Sequence, residues 1–187
     1  MRKFVLPVLI GVFCTTCLAA TGCGTECETY SDAIGGTMKI SSPAFENGGA
    51  IPKKYTCDGE NINPILVFSD LPDSTKSTVL ICDDPDASSG HFTHWLIYDI
   101  HPLALSISEN EPKTRIMTNG SRQGQNDFGE IGWGGPCPPS GTHRYVFKLY
   151  ALDKMLNLDL GAKRKTVEVA MQGHIIAEAE LTGTYGR

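Results

Sequence analysis

Two segments hold the residues that could do chemistry. The first reads Asp83-Asp84-Pro85-Asp86-Ala87-Ser88 and runs on to His94-Trp95. The second reads Gly134-Gly135-Pro136-Cys137-Pro138-Pro139-Ser140-Gly141-Thr142-His143-Arg144-Tyr145. Each sets acids or stiff Gly/Pro turns ahead of a His at the mouth of an apolar run. Pro85 fixes its own φ and biases Asp84 toward extended backbone, so the two carboxylates of Asp84 and Asp86 leave a strand end in defined directions. An imidazole can donate to a phosphate oxygen and gains charge near neutral pH, and charge-assisted donors suit phosphate-like anions. Gly134 and Gly135 let backbone approach a ligand closely, while Pro136, Pro138 and Pro139 stiffen the loop and lower the entropic cost of binding. Taken singly, these features have plainer readings. Asp is common in turns, and one His at a strand start is more often structural. The coincidence of two such segments favours one small pocket for a polar group, an anion in the first place. Arg144 is the neighbouring cation; it is expected to pair with an Asp of the first segment rather than to hold the ligand.

Both segments strongly resemble the phosphatidylethanolamine-binding protein family, specifically its bacterial Raf-kinase-inhibitor-like branch, and the match runs from about Ile40 to Tyr185. The resemblance implies a large antiparallel sheet packed on a smaller one, with few helices. It also implies that Asp84, His94 and His143 line a small anion pocket with Asp86 close by, and that Gly135, Pro138 and Pro139 form its wall. Tyr55-Thr56-Cys57-Asp58-Gly59 and Asn126-Asp127-Phe128-Gly129 match the bacterial branch too. The chain departs from the pattern at Ser88-Ser89, where Pro often follows the Ala, so the rim there is expected to differ. The resemblance is to the branch expected to lack the longer C-terminal extension that helps gate eukaryotic members, so their kinase regulation is not expected to carry over.

The elements that must position these residues follow from pattern. Met38 to Ser42, Ile65 to Phe68, Val79 to Cys82, His94 to Ile100 and Arg144 to Leu152 read as strands, the last being the longest and rich in aromatic and β-branched residues. Thr166 to Ala177 carries Val167, Ala170, Met171, His174 and Ile175 at helical spacing. The stretch Ala179 to Tyr185 alternates and is expected to return to a sheet. Short strands with Gly/Pro turns and little helix indicate a mainly β, antiparallel sandwich. Residues 103–131 read as a long polar loop leading into the second segment, of the kind that is functional or mobile.

At 187 residues the chain suits one domain. Arg2 and Lys3 precede an apolar stretch from Phe4 to about Leu18 and then small residues, the layout of a signal peptide over 1–22; that stretch is short for a membrane span. Residues 23–37 read as a linker and 38–187 as the domain. Ala20-Thr21-Gly22-Cys23 resembles a lipobox, with Ala20 where Leu is usual, so Cys23 is a candidate for lipidation and membrane attachment; cleavage after Ala19 or Ala20, giving a free secreted protein, is the alternative. Either route leads outside the cytoplasm, where disulfides persist. Of seven Cys, Cys14 and Cys17 would leave with the leader and Cys82 reads as a core residue. Cys57 and Cys137, both in turns flanking the inferred pocket, are a candidate disulfide. The net charge of −5 and the single basic run Lys163-Arg164-Lys165 exclude a broad nucleic-acid face.

Three functions compete. A binder of a small anionic or phosphorylated ligand, such as a phospholipid headgroup, fits best. A protein-interaction module, such as a protease or kinase inhibitor, would suit a rigid Pro-rich loop. A phosphoester hydrolase could use Asp and His as acid and base. No G-x-S-x-G, H-E-x-x-H or P-loop is present, and His91 and His94 at i, i+3 on a strand point to opposite faces. A non-enzymatic protein with no cofactor and no metal is therefore expected.

Overall fold

The computed structural model describes residues 37–187. Its strands are β1 (Lys39–Ser41), β2 (Leu66–Ser69), β3 (Ser77–Asp84), β4 (Phe92–Ile100), β5 (Ser106–Ile107), β6 (Arg122–Gln123), β7 (Thr142–Leu152) and β8 (Ile175–Gly186), with one α-helix, α1 (Arg164–Met171). They form a three-stranded sheet in the order β1-β2-β5 and a five-stranded sheet in the order β6-β4-β3-β7-β8. Every pairing between these strands is antiparallel. The mainly β sandwich of a large and a small sheet is thus the architecture.

The core explains the strand patterns. Leu66 and Phe68 of the small sheet face Leu80, Cys82, Trp95, Ile97, Phe147 and Leu149 of the large one. On the large sheet's other face, Val79, Ile81, Leu96 and Tyr98 pack under Val167 and Met171 of α1. All eight residues of β3 are buried, so Val79 to Cys82 form a continuous apolar run rather than an alternating one; β2 shows the alternation of a sheet with one wet face.

Two expectations change. The helix begins at Arg164 and ends at Met171, not at Ala177. Gly173 turns the chain at φ +76°, and the His174 N–H donates back to the Met171 carbonyl at 3.0 Å. Ile175 then pairs with Leu152, and Ala177 with Ala151, as β8 opens. Ile175 gains a ladder partner in β7 and Ile176 falls at the bulge beside it, which outweighs a helical spacing that a glycine already breaks. Residues 103–131 are not a loose loop either. They contain β5 and β6, and the Gln123 side chain accepts from Trp95 Nε1 at 2.7 Å while donating to the carbonyls of Pro112 and Thr114 at 2.8 Å each. Cys23 and the leader lie outside the described residues. Among the described residues, no helix is long and apolar enough to cross a membrane.

Candidate functional site

Asp84 ends β3, and His143 lies near the start of its neighbour β7, so antiparallel pairing alone brings the two segments to one end of the large sheet. There a cavity of about 300 Å³ opens between the β3–β4 turn and the strap 134–141. Its polar lining is Asp84, His94, His143 and the serines Ser88 and Ser89; Phe92, Phe128, Ala87, Pro138, Pro139 and Cys137 supply the rest.

Asp84 is the organising group. One carboxylate oxygen accepts the Asp86 N–H at 2.8 Å and shapes the turn. The other lies 2.8 Å from His143 Nδ1. A carboxylate only accepts, so Nδ1 holds a proton and Nε2 is the nitrogen left for a ligand. His94 is arranged in the same way, with Nδ1 donating to the Gly134 carbonyl at 2.6 Å. Its ring packs on Phe92, Phe128 and Tyr145, at centroid distances of 5.2, 5.4 and 5.1 Å. Burial in that apolar nest pushes the His94 pKa down, against the Gly134 carbonyl and the Asp84 charge. The two imidazoles differ in accessibility. His143 is half-buried, but His94 is only 3 % exposed and shows the cavity no more than an edge.

Two residues expected at the ligand sit elsewhere. Asp86 turns to Arg144, which donates to it from Nε at 3.0 Å, Nη2 at 2.7 Å and the backbone N–H at 2.9 Å. That fork holds the Asp86 carboxyl at about 2 and realises the expected role of Arg144. Gly135 backs the wall without lining it. Its N–H donates to Asn61 Oδ1 at 2.8 Å, and a Cβ there would come within 2.5 Å of the Tyr55 carbonyl. The glycine is needed for contact with residues 55–61, not for approach to a ligand. Likewise a Cβ on Gly134 would meet the Phe128 ring at 2.5 Å.

Phe92 and Phe128 add an aromatic lining that the polar residues of the two segments do not announce. Phe128 is half-exposed and is held out over the cavity by its turn. Asn126 Oδ1 accepts from the N–H groups of Phe128 and Glu130, Gly129 takes φ +83°, and Asp127 clamps Thr93 through two hydrogen bonds. A large aromatic inside an Asn-Asp-x-Gly turn was the available signal. Cys57 and Cys137 form a disulfide with Cα atoms 5.5 Å apart, and Cys82 is a buried free thiol whose pKa burial raises.

A larger cavity, about 490 Å³, lies beside the Lys163-Arg164-Lys165 run. Its Arg164 is already committed to Asp83 and Glu168, and it holds no imidazole, so its size does not make it the better candidate. Among the described residues, no three His, Cys, Asp or Glu side chains group as a metal site would require.

The family model described as phosphatidylethanolamine-binding protein matches residues 41–186. A UPF0098 protein of Methanothermobacter thermautotrophicus is 51% identical over 150 residues, spanning 80% of this chain and 99% of the relative. UPF0098 protein PH1269 of Pyrococcus horikoshii is 44% identical over 191 residues, 100% of this chain and 91% of its own. The crystal structure of CT736 from Chlamydia trachomatis, described as a homolog of phosphatidylethanolamine-binding protein, matches with a TM-score of 0.75 at 43% identity, over 81% of this chain and 98% of that one. E. coli YbcL, described as a new member of the mammalian family, matches with a TM-score of 0.75 at 30% identity, over 81% and 99% of the two chains. On the family model, the identities and the shared architecture together, the chain belongs to the phosphatidylethanolamine-binding protein family.

Proposed function

We propose that the protein binds, without turning it over, a small phosphoryl-type anion or phosphorylated headgroup in the pocket of Asp84, His94 and His143. The observation that supports this most is convergence: imidazoles from two distant segments reach one cavity of about 300 Å³ beside a shared carboxylate. When protonated, His143 offers Nε2–H to an anion while Asp84 balances its charge. Neutral His94 presents a lone pair on Nε2, which accepts from a protonated phosphoryl oxygen or an ammonium. Donor, acceptor and carboxylate together suit a monoanion or a zwitterionic headgroup better than a bare multivalent anion. Binding without turnover is supported by the serines. Ser89 Oγ donates to the His91 carbonyl, and no serine hydroxyl among the described residues is hydrogen-bonded to either imidazole. The leader and the Cys57–Cys137 bridge support a location outside the cytoplasmic membrane.

Calorimetry with inorganic phosphate and with phosphoethanolamine tests the reading. Binding to wild type that disappears in His143→Asn is the expected result. Heat of binding that survives in that variant would remove the pocket from consideration. Hydrolysis of p-nitrophenyl phosphate by wild type, lost in the same variant, would make the protein an enzyme instead.

A further inference from the structure

The strap 134–141 is held unevenly. Its first half is tied by several bonds. Gly134 exchanges backbone and side-chain hydrogen bonds with His94, the Gly135 N–H reaches Asn61, and the Pro136 carbonyl accepts the Cys57 N–H at 3.1 Å. From Pro138 to Ser140, by contrast, there is no hydrogen bond among the described residues. Two prolines have no N–H to give. The stretch is pinned only at its two ends: Gly141 exchanges backbone hydrogen bonds with Arg187 at 3.1 and 3.2 Å, and on the pocket side the anchor that fixes the Pro138 and Pro139 faces is the covalent bond from Cys137 to Cys57. That bond is not sealed in: both sulfur-bearing residues are half-buried, and Cys137 lines the pocket itself. The two sulfurs also differ. Arg187 Nη2 lies 3.0 Å from Cys57 Sγ and is fixed there by Asp58, which also accepts from Tyr185 Oη at 2.7 Å. Among the described residues, no cationic side chain is hydrogen-bonded to Cys137 Sγ.

We propose that the Cys57–Cys137 bridge is a thiol–disulfide exchange site that loosens the pocket wall on reduction. The reaction partner is a dithiol reductant. Its thiolate attacks Cys137 Sγ from the pocket side and the S–S bond breaks. Cys57 leaves as a thiolate beside the Arg187 guanidinium, because the better-stabilised thiolate leaves faster. The reductant's second thiol then resolves the mixed disulfide, releasing Cys137 and closing its own disulfide. Two electrons pass from dithiol to protein, and the two protons lost by the dithiol balance the two cysteines formed. The freed stretch 137–140 takes Pro138 and Pro139 out of register with His94 and His143. The effect on ligand affinity rests on the proposed binding function; the exchange and the loosening do not.

The wild-type protein answers the test directly. It is exposed to glutathione, quenched with iodoacetamide and mapped by mass spectrometry. The mixed disulfide is expected on Cys137 with Cys57 alkylated; the reverse assignment would overturn the proposed direction of attack. Arg187→Gln should slow reduction by dithiothreitol at least about threefold, with Arg187→Lys restoring it; an unchanged rate in Arg187→Gln removes the role of the guanidinium. On reduction, exchange of the Gly141 amide, which donates to the Arg187 carbonyl at 3.2 Å, should rise about tenfold or more while the near-ultraviolet dichroism of the core persists. Unchanged exchange, or loss of that dichroism, would overturn the local gate. Affinity for inorganic phosphate should fall about tenfold or more in the reduced protein. Phosphate bound by neither form, with the exchange results intact, would reject the binding function and leave the exchange site standing.

Discussion

His94 and His143 look alike in sequence and are held differently in the fold. His94 is buried against three aromatic rings and caps the Gly134 carbonyl, so His94→Ala leaves a cavity and an unpaired acceptor. It should destabilise the domain by about 1–3 kcal/mol, read by urea denaturation, and a variant as stable as wild type would mean that the ring is expendable to the fold. His143 is the better probe of binding. In His143→Asn the side-chain amide can take the place of Nδ1–H opposite Asp84, while nothing replaces Nε2. The variant should keep its thermal midpoint and lose phosphate binding; a large drop in midpoint would assign His143 to structure. The pH dependence follows from His94. Its pKa is lowered in the folded state, so below the unfolded value of roughly 6.5 the unfolded chain binds more protons, and stability declines as pH falls through that value toward the folded one. Asp86, held at about 2 by Arg144, stays ionised across this window and contributes nothing to the slope. Urea midpoints at pH 7.5 and 5.5 should differ in wild type and differ less in His94→Gln. A flat profile in wild type would contradict the burial argument.

Elements were readable where local pattern and tertiary partner agree. β7 announced itself through Tyr145, Val146, Phe147 and Tyr150, and it pairs on both sides, with β3 and β8. At the α1–β8 junction the two disagree, because helical spacing persists past the point where a sheet edge becomes available. Gly173 decides the matter at φ +76° with open space around its missing Cβ. Gly173→Ala therefore costs backbone strain alone, about 1–2 kcal/mol, measured by chemical denaturation with the strand content of β8 unchanged. A neutral substitution would show that the turn accommodates an ordinary residue there. The stretch 103–131 was opaque for another reason: Gln123 and Asn126 are buried polar residues, and polarity in sequence imitates exposure. Only their partners, Trp95, Pro112, Thr114 and Gly132, make the burial tolerable.

At the scale of the whole molecule, the site was legible because its polar members cluster in two short segments, and incomplete because its covers come from elsewhere. Phe128 arrives from a third segment. The Cys57–Cys137 bridge closes over a separation of 80 residues; its pairing was legible only because both cysteines lie in turns that flank the inferred pocket. The N-terminal segment remains a matter of sequence, since residues 1–36 lie outside the described structure. Its layout still makes a definite prediction. A charged start, an apolar run and then Gly22-Cys23 point to cleavage before Cys23 and acylation of its sulfur and amine. The domain begins only with β1 at Lys39, so a linker of polar, small residues would separate it from an anchor. The chain's net negative charge gives no general attraction to anionic lipid, so attachment would have to come from the anchor itself. Mass spectrometry of the membrane fraction should find acyl chains on Cys23, and Cys23→Ala should move the protein to the soluble fraction with its fold and its Cys57–Cys137 bridge intact. Recovery of wild type as a soluble protein beginning at Ala20 or Thr21 would instead establish ordinary signal cleavage and free secretion.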